Sequence, residues 1–320
     1  MKQIVIITTG GTIAMAESKE NGVKPQDPSA LQSVLPLLAP YAHTHMEHLL
    51  NLPSPHMTPN EMYLLAKRVA ELLDQSEIDG VVITHGTDTL EETAYFLDLV
   101  IQSNKPVVVT GAMRSQNELG ADGPYNLVNA VRVAAHDQAS GLGTLVVFND
   151  EIHTAREVTK THTSNVATFQ SPSLGPIGHL SKKDIRFYRK VIRKQPLPLV
   201  KPTAKVALIK AAAGMDDSMI KWAIQQQYHG IVIEALGLGN LPPAMLPGIS
   251  QALKQDIPVV LVSRCYNGVV QDIYAYEGGG KQLKEMGVIF GGELNGQKAR
   301  IKLMLALQLK LSIDELQKVF

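Results

Sequence analysis

Ile4-Val5-Ile6-Ile7-Thr8-Thr9-Gly10-Gly11-Thr12-Ile13-Ala14 is the stretch from which the fold is read. Its first four residues are apolar and β-branched with no polar residue between them. That is the pattern of a strand buried on both faces, as in a parallel sheet covered by helices. The threonines and glycines that follow turn the chain at the strand's carboxyl end, where open α/β sheets keep their ligand sites. Adjacent glycines let the backbone pass close to another group, and Thr12 carries a hydroxyl into the same space. Taken alone, such a turn proves little, since Thr in a Gly-rich turn is more often a helix cap or a backbone hydrogen-bond partner than a nucleophile.

The pattern recurs twice. Gly80-Val81-Val82-Ile83 runs into Thr84-His85-Gly86-Thr87-Asp88-Thr89 ahead of a helical stretch from Leu90 to Val100, and Pro106-Val107-Val108-Val109 runs into Thr110-Gly111-Ala112-Met113-Arg114. Three buried strands thus bring hydroxyls and glycines to one edge, where structural turns are as readily made by Asn-Gly or Pro-Asp. That edge is read as an active site.

The rest of the chain keeps an α/β rhythm. A helix is predicted from Thr58 to Leu73 with Thr58 as cap and Pro59 as first residue, another from Tyr125 to His136, and a fourth strand at Thr144 to Phe148. Ser29 to Leu38 reads as a short helix. Ile152 to Ala167 alternates and is rich in threonine, which predicts a β-hairpin bearing Arg156, Lys160 and His162. Met15 to Asp27 has no apolar period and reads as a mobile loop beside the site, in the position of a lid. The basic run from Lys182 to Lys194, followed by Pro196, Pro198 and Pro202, reads as an extended linker. Strands then restart at Val206, Ile231 and Val259, and Gln297 to Leu311 and Ile313 to Phe320 read as closing helices. The expected architecture is α/β, a large N-terminal domain (1–185) with a mostly parallel sheet, a linker (186–204) and a smaller C-terminal α/β domain (205–320).

Composition bounds the function. The 320 residues are 45% hydrophobic and 19% charged, a globular balance with room for two cores. Thirty basic and thirty acidic side chains give a formal net charge of zero, so neither nucleic acid nor membrane is an expected partner. The lone cysteine, Cys265, removes disulfides and Cys-based zinc sites and reads as a small buried residue at a strand end. His43, His45 and His48 lie on what reads as a solvated strand, not on a metal site. Met1-Lys2-Gln3 leads straight into the first strand without a signal-peptide pattern, so the expected compartment is the cytoplasm. The first turn lacks Gly-x-Gly-x-x-Gly, and no Gly-Lys-Ser or Gly-Lys-Thr occurs, which argues against nucleotide binding.

The residue types at the edge favour acyl transfer from a small amide. A threonine hydroxyl is a poor nucleophile unless a second group takes its proton and a third orients that group. Thr87 beside Asp88, with Lys160 from the hairpin, makes such a set, with Lys160 as base and Asp88 as orienter. Backbone amides of the glycine-rich turns suit an oxyanion. Ser54, in a turn-rich connector, is either an ordinary loop hydroxyl or a ligand contact.

Thr8 to Ala14, Thr84 to Ala94, Gly111-Ala112-Met113-Arg114 with Ala121-Asp122-Gly123-Pro124, and Val158-Thr159-Lys160-Thr161 together resemble the motifs of the bacterial-type L-asparaginases, over nearly the whole chain. The resemblance implies hydrolysis of L-asparagine to L-aspartate and ammonia through an acyl-threonine intermediate, without a cofactor or metal. It also implies a homotetramer of intimate dimers with sites completed by the neighbouring subunit. It assigns Thr12 as nucleophile, and Thr87, Asp88 and Lys160 as a second set that activates water or substrate, Asp88 also gripping the α-amino group. Gly11, Ser54, Pro55, Gly86, Thr87, Asp88 and Ala112 then line the substrate, with Ser54 on its α-carboxylate and Asn240 supplied by the partner.

Two departures from the family pattern carry expectations. The loop from Met15 to Asp27 has no tyrosine to partner Thr12, so Tyr274 or Tyr276 from across the dimer is expected to supply the phenol. Pro55 stands where glutamine-accepting members often have Gln, so glutaminase activity is expected to be weak. A non-catalytic asparagine-binding sensor and the amidase subunit of tRNA-dependent amidation remain open as alternatives.

Overall fold

The opening apolar run becomes a strand whose residues 4–10 are all buried. The computed structural model describes residues 1–18, 22–25 and 32–320, and the chain divides into units Met1–Leu199 and Val200–Phe320. Along the first unit run β1 (Gln3–Gly10), β2 (Met15–Ser18), β3 (Gly22–Pro25), α1 (Leu35–Leu38), β4 (His43–Leu52), α2 (Pro59–Leu73), β5 (Gly80–Thr84), α3 (Leu90–Val100), β6 (Val107–Thr110) and α4 (Gly123–Ala134). They are followed by β7 (Thr144–Phe148), β8 (Glu151–Thr154), β9 (Thr159–Lys160), β10 (Phe169–Gln170), β11 (Gly178–Leu180) and β12 (Ile185–Phe187).

Eight of these strands form one sheet in the order β12-β11-β8-β7-β6-β5-β1-β4. The five from β7 to β4 are parallel, and β8, β11 and β12 extend it antiparallel. The mostly parallel sheet expected from the apolar runs is therefore present. From β1 the chain goes to β4 on one side and then returns to lay β5, β6 and β7 on the other. The order thus reverses between β1 and β5, and a crevice opens at the carboxyl ends of strands where such a reversal occurs. The register puts Thr8 beside Thr84 and Thr84 beside Thr110, so the three threonine-ended strands finish level.

Local chemistry fixes the boundaries. Thr58 caps α2 in a reciprocal capping box with Glu61, and Pro59 takes the first helical position. Between β7 and β8, Asn149 (φ 49°) and Asp150 (φ 64°) make a two-residue turn of the kind whose twist suits antiparallel strands.

Several expectations are corrected. The segment read as a mobile loop contains two paired antiparallel strands, β2 with β3 from Met15↔Pro25 to Ser18↔Gly22; residues 19–21 and 26–31 lie outside the described residues. Its polar sequence lacks an apolar period because this two-stranded ribbon joins no wider sheet. The helix read from Ser29 to Leu38 is an α-helix only at Leu35–Leu38, and its start falls partly outside the described residues. The single hairpin expected from Ile152 to Ala167 is split: β8 joins the main sheet, and Lys160 sits on β9, which pairs with β10.

The boundary of the first unit lies at Leu199 and not at residue 185. Ile185–Phe187 is a sheet strand, and Arg193 donates to the carbonyls of Ser103 (3.2 Å), Asp98 (3.4 Å) and Ile101 at the carboxyl end of α3. A cation there satisfies terminal carbonyls and the helix dipole, so part of the basic run holds the fold together and is not solvated linker.

The second unit contains β13 (Val206–Lys210), α5 (Ser218–Gln225), β14 (Gly230–Ala235), α6 (Leu246–Lys254), β15 (Val259–Ser263), α7 (Gly280–Glu285), β16 (Ile289–Phe290), α8 (Gly296–Ala306) and α9 (Ile313–Val319). Its four strands are parallel in chain order, with a core of its own that includes Ile231, Ile233, Ile249 and Leu261. Among the described residues no helix is long and apolar enough to cross a membrane.

Candidate active site

Three chain segments converge where the sheet order reverses. A Cβ on Gly11 (φ +83°) would lie 2.3 Å from both Cα and N of Gly86. One on Gly86 would lie 2.7 Å from Ser54 Cβ and 3.1 Å from Gly11 Cα. Only glycine permits this approach, and it brings the turn after β1, the turn after β5 and the short turn at Ser54 together. Thr12 and Thr87 each follow one of the two touching glycines.

Around Thr87 the hydrogen bonds are dense. Lys160 Nζ donates to Thr87 Oγ1 at 2.9 Å and to Asp88 Oδ1 at 2.7 Å. Thr87 is buried, the Lys160 side chain is 16% exposed and that of Asp88 is 58% exposed, so the carboxylate stands at the open side. Ser54 is buried beneath: its Oγ accepts from the Asp88 amide at 3.2 Å and its carbonyl accepts from Thr89 Oγ1 at 2.8 Å. With its oxygen serving that amide, the Ser54 hydroxyl proton is left to donate outward. Pro55 beside it is exposed.

His85 supports the turn from within. Its Nδ1 lies 2.8 Å from the Gly86 carbonyl, which only accepts, so Nδ1 carries the proton and Nε2 accepts from Thr93 Oγ1 at 2.9 Å. Complete burial holds the ring neutral and pushes its pKa down to about 4. The third strand end is tied in as well: a Cβ on Gly111 would meet the His85 carbonyl at 2.4 Å, and Ala112 is fully buried. The Asp122 carboxylate accepts from the amides of Met113 (3.1 Å) and Arg114 (3.0 Å), which fixes the loop after β6.

Thr12 opens a short 3-10 turn, Thr12–Ala14, closed by a 2.9 Å bond from the Ala14 amide to the Gly11 carbonyl. Gln116 donates to the carbonyl of Ile13 at 2.8 Å (Nε2) and to that of Met15 at 3.1 Å (backbone), bracketing the exit toward β2. Among the described residues no group is hydrogen-bonded to the Thr12 hydroxyl.

The sequence reading passed over Glu91. It is buried, and its Oε1 accepts from Thr159 Oγ1 at 3.0 Å and from the Lys160 amide at 3.2 Å. The available signal was an acid on the first turn of α3, three residues after Asp88, where its partner was invisible. Asn240, Tyr274 and Tyr276 belong to the second unit. Asn240 closes a tight turn with the Leu236 carbonyl and accepts from the Gly280 amide at 3.3 Å. The rings of Tyr274 and Tyr276 stand 5.4 Å apart, both exposed. Cys265, expected to be buried, is exposed because it falls beyond the end of β15. Among the described residues no cluster of three His, Cys, Asp or Glu side chains is placed to hold a metal ion.

Both halves of the chain match known proteins. Residues 3–193 match the family model "Asparaginase, N-terminal" and residues 205–320 the model "Glutaminase/Asparaginase C-terminal domain". The probable L-asparaginase of Deinococcus radiodurans is 40% identical over all of this chain and 97% of its own length. L-asparaginase 2 of Escherichia coli is 37% identical over all of this chain and 93% of its own. The crystal structure of the probable cytoplasmic L-asparaginase from Campylobacter jejuni superposes with a TM-score of 0.90 at 36% identity, covering 100% of this chain and 99% of that one. With the two domain models matching residues 3–193 and 205–320 and relatives 37–40% identical over the whole chain, the chain belongs to the asparaginase family.

Proposed function

We propose that the protein is an L-asparagine amidohydrolase that releases L-aspartate and ammonia. The observation that carries this reading is the Lys160 ammonium bonded to both Thr87 Oγ1 and Asp88 Oδ1, one residue from the contact between Gly86 and Gly11, the residue before Thr12. Thr12 Oγ1 attacks the side-chain amide carbon as its proton passes to the amide nitrogen, the C–N bond breaks, and ammonia leaves. An acyl ester on Thr12 remains. Water then attacks the ester carbon, the C–O bond to Thr12 breaks, and the water's proton passes by way of the Thr87 hydroxyl, held by Lys160, to Thr12 Oγ1 as aspartate is released. Backbone amides of the glycine turns supply donors to the carbonyl oxygen as it gains charge.

Recognition follows from what faces outward. The exposed side of Asp88 accepts from the substrate ammonium, and the Ser54 hydroxyl donates to the α-carboxylate. In this reading Gly11, Gly86 and Ala112 line the ligand, and rigid Pro55 beside Ser54 gives glutamine no added partner, so glutaminase activity is weak. The proposal includes a cytoplasmic homotetramer in which Asn240 and Tyr274 of a neighbouring copy complete each site, Tyr274 supplying a phenol to Thr12.

Purified protein should release ammonia from free asparagine much faster than from glutamine, and Thr12→Ala and Thr87→Ala should each abolish it. Tight asparagine binding without turnover would replace the hydrolase by a sensor. Ammonia release only alongside a tRNA amidation partner would make it an amidase subunit. Comparable rates on both amides would refute the selectivity. Full turnover after Tyr274→Phe and Tyr276→Phe together would remove the phenol, and a monomer with full activity by light scattering would remove the shared site.

A further inference from the structure

One short passage of chain holds Lys160 at both ends. Its ammonium meets Thr87 and Asp88, while its backbone amide donates to Glu91 Oε1 at 3.2 Å. The same oxygen accepts from the adjacent Thr159 hydroxyl at 3.0 Å. Thr87 and Asp88 lie in the turn after β5 and Glu91 in the first turn of α3, so the contacts form a closed circuit: turn, helix start, lysine backbone, lysine side chain, turn.

Two features make the carboxylate more than a packing detail. Glu91 is 5% exposed, and a carboxylate is retained at such a depth only where donors surround it. Moreover β9, which carries Lys160, is two residues long, and although the neighbouring Thr161 amide donates to the Thr168 carbonyl at 2.7 Å, the Lys160 amide itself donates to Glu91. A lysine side chain has many rotamers, so its ammonium is placed only if its Cα is first fixed.

We propose that Glu91 is a positioning residue for the hydrolysis: it anchors the backbone of Lys160 so that the ammonium lies between Thr87 and Asp88. This rests on the reading of Lys160 as part of the reacting set. Glu91 acts as an acceptor of two hydrogen bonds, a role an amide oxygen also fills, and carries no proton in the reaction.

The test is steady-state ammonia release by full-length Glu91→Ala, Glu91→Gln and Thr159→Val, together with hydrogen exchange of the peptide spanning 158–161. Glu91→Ala should lower kcat by about 100-fold with KM within about threefold of wild type, because a misplaced lysine costs turnover more than ground-state binding. Glu91→Gln should restore most of kcat. Thr159→Val, which removes one of the two bonds, should lower kcat by about 2- to 10-fold. Exchange at 158–161 should quicken in Glu91→Ala and not in Glu91→Gln. Wild-type kcat in Glu91→Ala, a loss confined to KM, or a loss shared equally by Glu91→Gln would overturn the inference. If Glu91→Ala does not fold, the other two variants decide: the proposal falls if Thr159→Val matches wild type or Glu91→Gln loses turnover. If wild-type protein releases no ammonia, the hydrolase reading fails separately, and unchanged exchange in Glu91→Ala would then overturn the anchoring itself.

Discussion

Thr12 and Thr87 leave the same sheet edge from adjacent strands, and their surroundings differ in kind. Thr87 is bonded to a lysine that is also bonded to Asp88, and its turn is braced by Ser54 below and His85 behind. Among the described residues, Thr12 is held through backbone: the Gly11 amide donates to the Leu52 carbonyl at 3.1 Å and Gln116 holds the carbonyls of Ile13 and Met15. A hydroxyl already tied to a cation is preorganised to stabilise charge or pass a proton, whereas one held at its backbone alone keeps its oxygen for attack. The proposed function divides the work between the two threonines along this difference.

The largest expected effect tests that division directly. Thr12→Ala, Thr87→Ala and Lys160→Met should each lower kcat by about 1,000-fold or more, and Thr87→Ala combined with Lys160→Met should be no worse than either alone, since residues that act as a unit are not additive. A double variant whose losses multiply would break the pairing of Thr87 with Lys160. Ammonia release measures all four.

Stability separates the glycines on which the convergence depends. Gly11→Ala forces a Cβ to 2.3 Å from the Gly86 backbone at φ +83°, and should cost about 3 kcal/mol or more in urea unfolding. Gly141→Ala has a similar φ of +77° with nothing within 4 Å, and should cost only about 1–2 kcal/mol, the conformational penalty alone. Equal costs would mean that the approach of the two turns is loose.

The braced turn should also be acid-sensitive. Burial lowers the His85 pKa from 6.5 to about 4 in the folded protein, so between those values the unfolded chain binds more protons. The stabilisation by neutral His85 is complete above about pH 6.5 and is lost as pH falls toward about 4, on the order of 3 kcal/mol in all. Urea titrations of wild type and His85→Gln over this range should differ in slope, the variant being flatter; parallel curves would put the acid sensitivity elsewhere. The smallest effect is expected away from both turns. Arg68 reaches Glu47 through two bonds of 2.7 and 2.9 Å, yet its side chain is 32% exposed, so Arg68→Ala should cost about 0.5–1 kcal/mol and leave kcat unchanged.

The level threonine ends of β1, β5 and β6 were legible because both of their causes are local. A run such as Val81-Val82-Ile83 has only one way to be buried on both faces, and a Gly-Thr turn after it states where the strand stops. The paired strands β2 and β3 were not legible, since their residues carry no hydrophobic alternation. The basic run past Lys182 misled for a related reason: an arginine that caps α3 from some ninety residues away looks in sequence like any solvated arginine.

By itself, then, the sequence determined the α/β alternation, the sheet edge that carries hydroxyls and the family whose motifs stand there. Tertiary structure alone decided which groups meet: Gly11 against Gly86, Lys160 onto Asp88 across 72 residues, and Glu91 beneath the lysine's own backbone. Secondary structure follows from periods a few residues long, which a linear reading resolves. Partnership between side chains depends on strand order and the stacking of whole elements, and no local pattern encodes that distance.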